Sequence, residues 1–118
     1  MKLKRVYCKH FPPSGYMALT LWPWVFIREK ARERYTAKVD RHETTHALQQ
    51  IETLLVFFLI IYGLEYVIKL VICGFDHSRA YYSISFEQEA YLWESNPGYN
   101  YIRKHYAWMR FVFKLYKK

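Results

Sequence analysis

"KVDRHETTHALQQIE", residues 38–52, holds two histidines with a glutamate directly after the first, the pattern HExxH. On a helix, positions i and i+4 share a face about one turn apart. His42 and His46 then point the same way, and two imidazoles so placed take one Zn²⁺ at about 2.0–2.1 Å each. Glu43 is the candidate general base. It stands next to the first histidine, angled toward the open position of the metal, where it can take a proton from activated water and pass it to a leaving amine. The pattern is short and occurs on many unrelated helices, so the flanking sequence must supply its context.

The helix is expected to start at Asp40, an N-cap with Glu43 three residues on in the manner of a capping box; Thr36, one turn earlier, is the other candidate. Gln49 falls on the His42/His46 face and is placed to bond a ligand or a neighbouring strand. One of Gln49 and Gln50 is read as polar support and the other as exposed. Upstream, "HFPPSG" (residues 10–15) reads as a rigid loop. In "YMALTLWPWVFIRE", Met17, Leu19 and Leu21 alternate with Tyr16, Ala18 and Thr20, which is strand spacing. Trp24 to Arg28 reads as a second strand, with Pro23 marking a bend, bulge or edge between them. "REKARERYTAK" is a charged connection with room for a short helix.

Downstream, "FEQEAYLWES" reads as a helix ended by "NPG". It offers Glu87 and Glu89 as a third ligand, and a catalytic zinc site takes three protein ligands and a water. Residues two apart on a helix lie about 200° around from each other, so only one of the two can face the metal. HExxH followed by a helix with Glu-x-x-Ala resembles the gluzincin class of zinc metallopeptidases. The resemblance implies Glu87 as the third ligand and the small Ala90 as the point where the two helices approach; Glu89 is then a solvated surface charge. Where that class often carries Asp at i+4, this chain has Tyr91, whose hydroxyl could orient a histidine instead. The chain also resembles small zincin-like proteins of Bacteroidetes-type bacteria. In those proteins an "LWPWVFIR"-like strand, "HExxHxxQQ", a long apolar segment and an "FExEAY" helix follow in this order, which here covers residues 16–95. The resemblance implies a minimal metallopeptidase fold, with the strand Trp24 to Arg28 as the edge that holds an extended peptide by strand addition. His10, His77 and His105 are expected to be surface or satisfied histidines. His77, Tyr81 and Tyr82 precede the third-ligand helix and are candidates for oxyanion stabilisation, with no choice made among them.

Residues 54–73 are the most apolar stretch and are followed by Gly74 in a C-cap-like position. Glu65 and Lys69 lie inside it at i,i+4, where they can pair, and its uninterrupted part is too short to cross a bilayer. A straight helix from His46 to Cys73 would end about 40 Å from the zinc, leaving residues 74–86 almost fully extended to bring Glu87 back. A bend near Gly63 making a helical hairpin is the simpler expectation. So apolar a hairpin packs as core, contacts a membrane or docks on a partner. The end, "YNYIRKHYAWMRFVFKLYKK", reads as a basic amphipathic helix over 99–118. Tyr101, Trp108, Val112 and Leu115 fall on one face, with Arg103, Arg110, Lys114 and Lys117 opposite.

Composition bounds the rest. The 118 residues are the size of one domain, and 53% hydrophobic with 20% aromatic content argues against disorder. A net charge of +8 suits an anionic membrane surface or a plain basic surface; with no recognition motif, nucleic acid ranks last. Cys8 and Cys73 are far apart and form no CxxC pair, which favours a reducing compartment. No apolar run follows the first basic residues, so a classical signal peptide is not expected. The protein is expected to be cytoplasmic or peripheral to the inner membrane face.

The expected fold is a single α+β domain, mainly helical. It comprises a short antiparallel hairpin near the N-terminus, the HExxH helix, the apolar helical segment, the third-ligand helix and the basic C-terminal helix. Two functions remain open. One is a zinc metallopeptidase with His42, His46 and Glu87 as ligands, Glu43 as base and a peptide or protein as substrate. The other is a catalytically inactive zincin-like structural or interaction protein, bound to a membrane or part of a larger assembly.

Overall fold

A computed structural model of the chain describes residues 3–12 and 16–116. Pro13, Ser14 and Gly15 of the expected rigid loop lie outside these, as does Lys117 of the expected C-terminal helix. The fold is mixed α+β and mainly helical, as expected. Three strands, β1 (Lys4–Cys8), β2 (Ala18–Leu21) and β3 (Trp24–Arg28), form one sheet in the order β1-β3-β2. The expected hairpin is β2–β3, paired from Leu21↔Trp24 to Ala18↔Ile27 with Trp22 and Pro23 as its turn. β1 was not expected. It runs parallel to β3, from Lys4↔Trp24 to Cys8↔Arg28. The strand Trp24 to Arg28 is therefore central, and its assignment as the open edge is corrected: β2 is the edge strand beside the helices.

The charged connection forms a 3₁₀ turn, Glu29–Arg34, before α1 (Ala37–Glu52). The N-cap of α1 is Thr36, so the expected start at Asp40 is corrected. Asp40 sits in the first turn, where a carboxylate suits the positive helix end. Its side chain accepts hydrogen bonds from Arg5 (2.9 Å) and Tyr35 (2.8 Å), tying β1 to α1.

The chain does bend, but not at Gly63. Leu54 and Leu55 take positive φ (57° and 52°), and α2 (Val56–Ile72) leaves α1 at 112° as one continuous helix. Positive φ is uncommon for non-glycine residues; here the Leu55 amide donates to the Gln50 carbonyl at 2.7 Å and the Thr53 hydroxyl to the Gln49 carbonyl at 2.8 Å. The corner solves the distance problem. It lays α2 across the site, and Gly74 and Phe75, both at positive φ, then turn the chain into α3 (His77–Ser83). Asp76 caps α3 by accepting from the Arg79 amide at 3.1 Å. α4 (Ser85–Trp93) follows and packs against α1. The apolar core joins Phe58, Ile84, Phe86 and Trp108, with Phe58 and Phe86 rings 4.4 Å apart. Among the described residues, no single helix is long and apolar enough to cross a membrane.

The continuous helix expected over 99–118 is also corrected. A short α5 (Tyr99–Ile102) and a 3₁₀ turn (Ala107–Phe111) stand in its place, with Arg103 and Lys104 non-helical between them. Arg103, expected on the basic face of that helix, has a side chain only 5% exposed, drawn inward by the carboxylates of Glu52 and Glu89 at 2.9 and 2.8 Å. Glu52 also accepts from the Tyr106 amide at 2.9 Å, fixing the chain where the helix breaks.

Candidate metal centre

α1 brings His42, Glu43 and His46 inward, all at most 6% exposed. α4 supplies Glu87, 4% exposed. His42 Nε2, His46 Nε2 and Glu87 Oε1 form a triangle with sides of 3.1, 3.0 and 3.2 Å. Three atoms bound to one zinc at about 2.0–2.1 Å with tetrahedral angles would be about 3.3–3.4 Å apart. The triangle is therefore close to the size that a single ion requires.

The hydrogen bonds behind the triangle decide its chemistry. His42 Nδ1 lies 3.0 Å from Glu94 Oε2, a carboxylate that can only accept. His46 Nδ1 lies 2.8 Å from Gln49 Oε1. The Gln49 amide cannot be turned around, because its Nε2 donates to the Phe86 carbonyl (3.1 Å) and to Glu89 (2.9 Å). Both Nδ1 atoms must therefore carry the hydrogen, which leaves both Nε2 atoms as lone pairs facing a carboxylate oxygen. Three acceptors within 3.2 Å and no donor among them need a cation at their centre, either a proton or a metal ion. The donor set of two imidazoles and one carboxylate suits zinc.

The charge distribution says the same. Burial pulls the His42 imidazole down, but hydrogen bonds to Glu87 and Glu94 and the nearby negative charges outweigh it and push it up to about 10. His46 is likewise raised, burial opposing and the Glu87 charge prevailing. Burial alone would raise the Glu87 carboxyl; the two imidazoles hold it well below the usual carboxylate range. Its second oxygen accepts from the Tyr62 hydroxyl on α2 at 2.7 Å. Burial, reinforced by the Glu87 charge, keeps that phenol protonated and so a donor.

Glu43 accepts from the Thr20 hydroxyl at 2.6 Å, which pins its Oε1 to the edge strand β2. Gln50 meets the same hairpin: it accepts from the Trp22 amide of the turn at 2.6 Å and donates to the Thr20 carbonyl of β2 at 2.7 Å. The expectation that one of the two glutamines would be exposed is corrected, since both are at most 1% exposed. So is the reading of Glu89 as a solvated charge. It is fully buried and takes bonds from Gln49, Tyr99 (2.6 Å) and Arg103 (2.8 and 2.9 Å).

A cleft of about 600 Å³ opens on the triangle, walled by β2, by Leu59, Tyr62 and Gly63 of α2, and by His77 and Tyr81 of α3. The His77 ring bonds Tyr66 and, at 3.4 Å, Tyr16, so it is a cleft-wall histidine. Tyr91 does not orient a histidine through its hydroxyl, which is bonded to Tyr81 at 3.1 Å; its ring packs on His42 with centroids 4.3 Å apart. The orienting carboxylate is Glu94, which the sequence reading missed. The signal was present: Glu94 lies seven residues after Glu87, two turns along the same helical face. Thr20 and Tyr62 had no comparable signal, since each reaches the site from another element. The chain matches no protein-family model, no curated protein and no solved structure.

Proposed function

We propose that the protein is a zinc-dependent metallohydrolase that cleaves peptide bonds. The observation that carries this reading is the buried triangle of His42, His46 and Glu87, whose lone pairs converge with their hydrogens committed elsewhere. Zn²⁺ held there supplies Lewis acidity, polarising a carbonyl and acidifying water. The chain's own residues do the rest. Glu43, lining the cleft beside His42, takes the proton of the attacking water and passes it to the leaving amine. Thr20 holds one Glu43 oxygen in place and leaves the other for this work. Glu94, Gln49 and Tyr62 keep the three ligand atoms aimed at one point. An extended substrate is placed along β2, the edge strand bordering the cleft.

The test is Glu43→Gln, assayed by elemental analysis and by cleavage of a mixed fluorogenic peptide library. The expected result is one zinc per chain in both proteins and a rate about 10²–10⁴ lower in the variant. A variant that cleaves as fast as wild type would sink the mechanism. Zinc bound with no cleavage by either protein would favour an inactive scaffold.

A further inference from the structure

α2 is built inside out. Its four polar side chains, Tyr62, Glu65, Tyr66 and Lys69, turn toward the protein, and every exposed residue of the helix is apolar. Phe57, Ile60, Leu64, Ile68 and Ile72 are each more than half exposed. The exposed positions cover an arc of roughly 220° at 100° per residue. This inversion is held in place. Glu65 and Lys69, 7% and 4% exposed, pair at 3.1 Å. Glu65 accepts from the Ser85 amide (3.0 Å) and hydroxyl, and Lys69 donates to the Ser83 carbonyl. The pair thus clasps the joint between α3 and α4, and α2 cannot rotate its apolar face inward without taking the Glu65 acceptor away from the buried Ser85 amide and hydroxyl.

The exposed surface of the protein is cationic beyond what the net charge suggests, and exposed Arg110 and Lys114 flank Phe111, whose carbonyl lies 3.4 Å from Lys69 of α2. Among the described residues, ten lysines and arginines are exposed against two acids, Glu29 and Glu33. The other carboxylates are wholly or partly buried, Glu43, Glu65, Glu87 and Glu89 fully so.

We infer that the outward face of α2 docks the protein on an anionic lipid bilayer. Protein–protein interfaces carry about one hydrogen bond per 100–200 Å², whereas this face offers no hydrogen-bonding side chain, which is what hydrocarbon demands. At 17 residues, about 25 Å, the helix is too short to cross the ~30 Å apolar layer and lies in its plane, with the neighbouring Arg110 and Lys114 on anionic headgroups. A second copy of the chain would bury the same area but set a second chain of net charge +8 against the first. Leu59 and Gly63 belong both to this face and to the wall of the metal cleft, so docking sets the cleft mouth at the lipid surface. Under the hydrolase reading, on which only this consequence rests, the substrate is the segment of a membrane-bound protein nearest the bilayer.

The experiment is flotation of the full-length protein with vesicles of phosphatidylcholine alone or with one quarter phosphatidylglycerol. Wild type is expected to float with the anionic vesicles at least tenfold better than with neutral ones, and less as salt rises. Ile60→Glu/Ile68→Glu, both surface sites, should lower that binding at least tenfold with an unchanged circular dichroism spectrum. A second measurement does not depend on that variant: an environment-sensitive fluorophore on Val67→Cys, in a Cys8→Ser/Cys73→Ser background, should shift to the blue when anionic vesicles are added. Wild type that stays at the bottom of the gradient, a label that does not shift, or a stable dimer that hides the label without lipid would overturn the inference. Glu43→Gln and chelator-treated protein should float like wild type, so failure of the hydrolase reading leaves this result intact.

Discussion

Glu87 and Glu89 stand two residues apart on α4, are both buried and face opposite sides of the helix. Glu89 meets donors only: an amide, a phenol and a guanidinium, the last shared with Glu52. Glu87 meets one phenol and two imidazole nitrogens whose hydrogens are committed elsewhere. A buried carboxylate with a full set of donors is already neutralised and serves the fold. One that faces lone pairs is incomplete until a cation arrives. The same contrast sorts the two sides of the whole domain: the Glu89 side is closed by the C-terminal segment, and the Glu87 side opens on a cleft.

The largest expected effect breaks the closed side. Arg103→Leu removes the cation shared by Glu89 and Glu52, both buried, and one partner lost from such a pair costs about 3–5 kcal/mol. Urea denaturation should show that loss, while zinc per chain stays near one because no ligand is touched. A loss under about 1 kcal/mol would mean that Glu89 does not depend on its donors, and the distinction between the two glutamates would fail.

The next effect falls on the open side. Glu94→Gln keeps an acceptor for His42 Nδ1 but removes the negative charge behind it. Exchanging such a partner typically weakens metal binding about 10–100-fold. Chelator competition should find zinc affinity reduced by that factor. Unaltered affinity would show that Glu94 does not tune its histidine.

Much of this was legible locally. The HETTH face and the β2–β3 hairpin follow from periods of 3.6 and 2 within a few residues of one another; periodicity set Glu87 and Glu89 on different faces, and the choice of Glu87 rested on the Glu-x-x-Ala resemblance. The features that escaped are held by partners distant in sequence. β1 pairs in parallel with a strand twenty residues away, with no turn between them to announce it. The corner at Leu54 and Leu55 contains neither glycine nor proline, while Gly63 lies unremarkably within α2 with open space where a Cβ would be. The apolar segment was open to three readings, as core, membrane contact or partner surface, and the Glu65–Lys69 clasp on Ser83 and Ser85, which turns its apolar face outward, goes against the first. The C-terminal helix fails because Arg103 finds two buried carboxylates, one on α1 and one on α4.

An effect of about tenfold for each pH unit sharpens the comparison most, because it asks what occupies the triangle when no metal does. Below pH 10 the metal-free site should hold at least one proton, since the His42 imidazole is pushed up to about 10 from 6.5. Zinc must displace that proton, so its apparent affinity should rise about tenfold per pH unit between pH 7 and 9 and level off beyond 10. Stability runs the other way in the metal-free protein. The folded-state value lies above the unfolded one, so the contribution is complete below about 6.5 and is lost as the pH rises through about 10. Titrations of zinc in two buffers of different ionisation enthalpy at pH 7.5 would count the protons released. A count of zero would mean that the two imidazoles and Glu87 coexist without any cation, and the incompleteness assigned to the Glu87 side would be wrong.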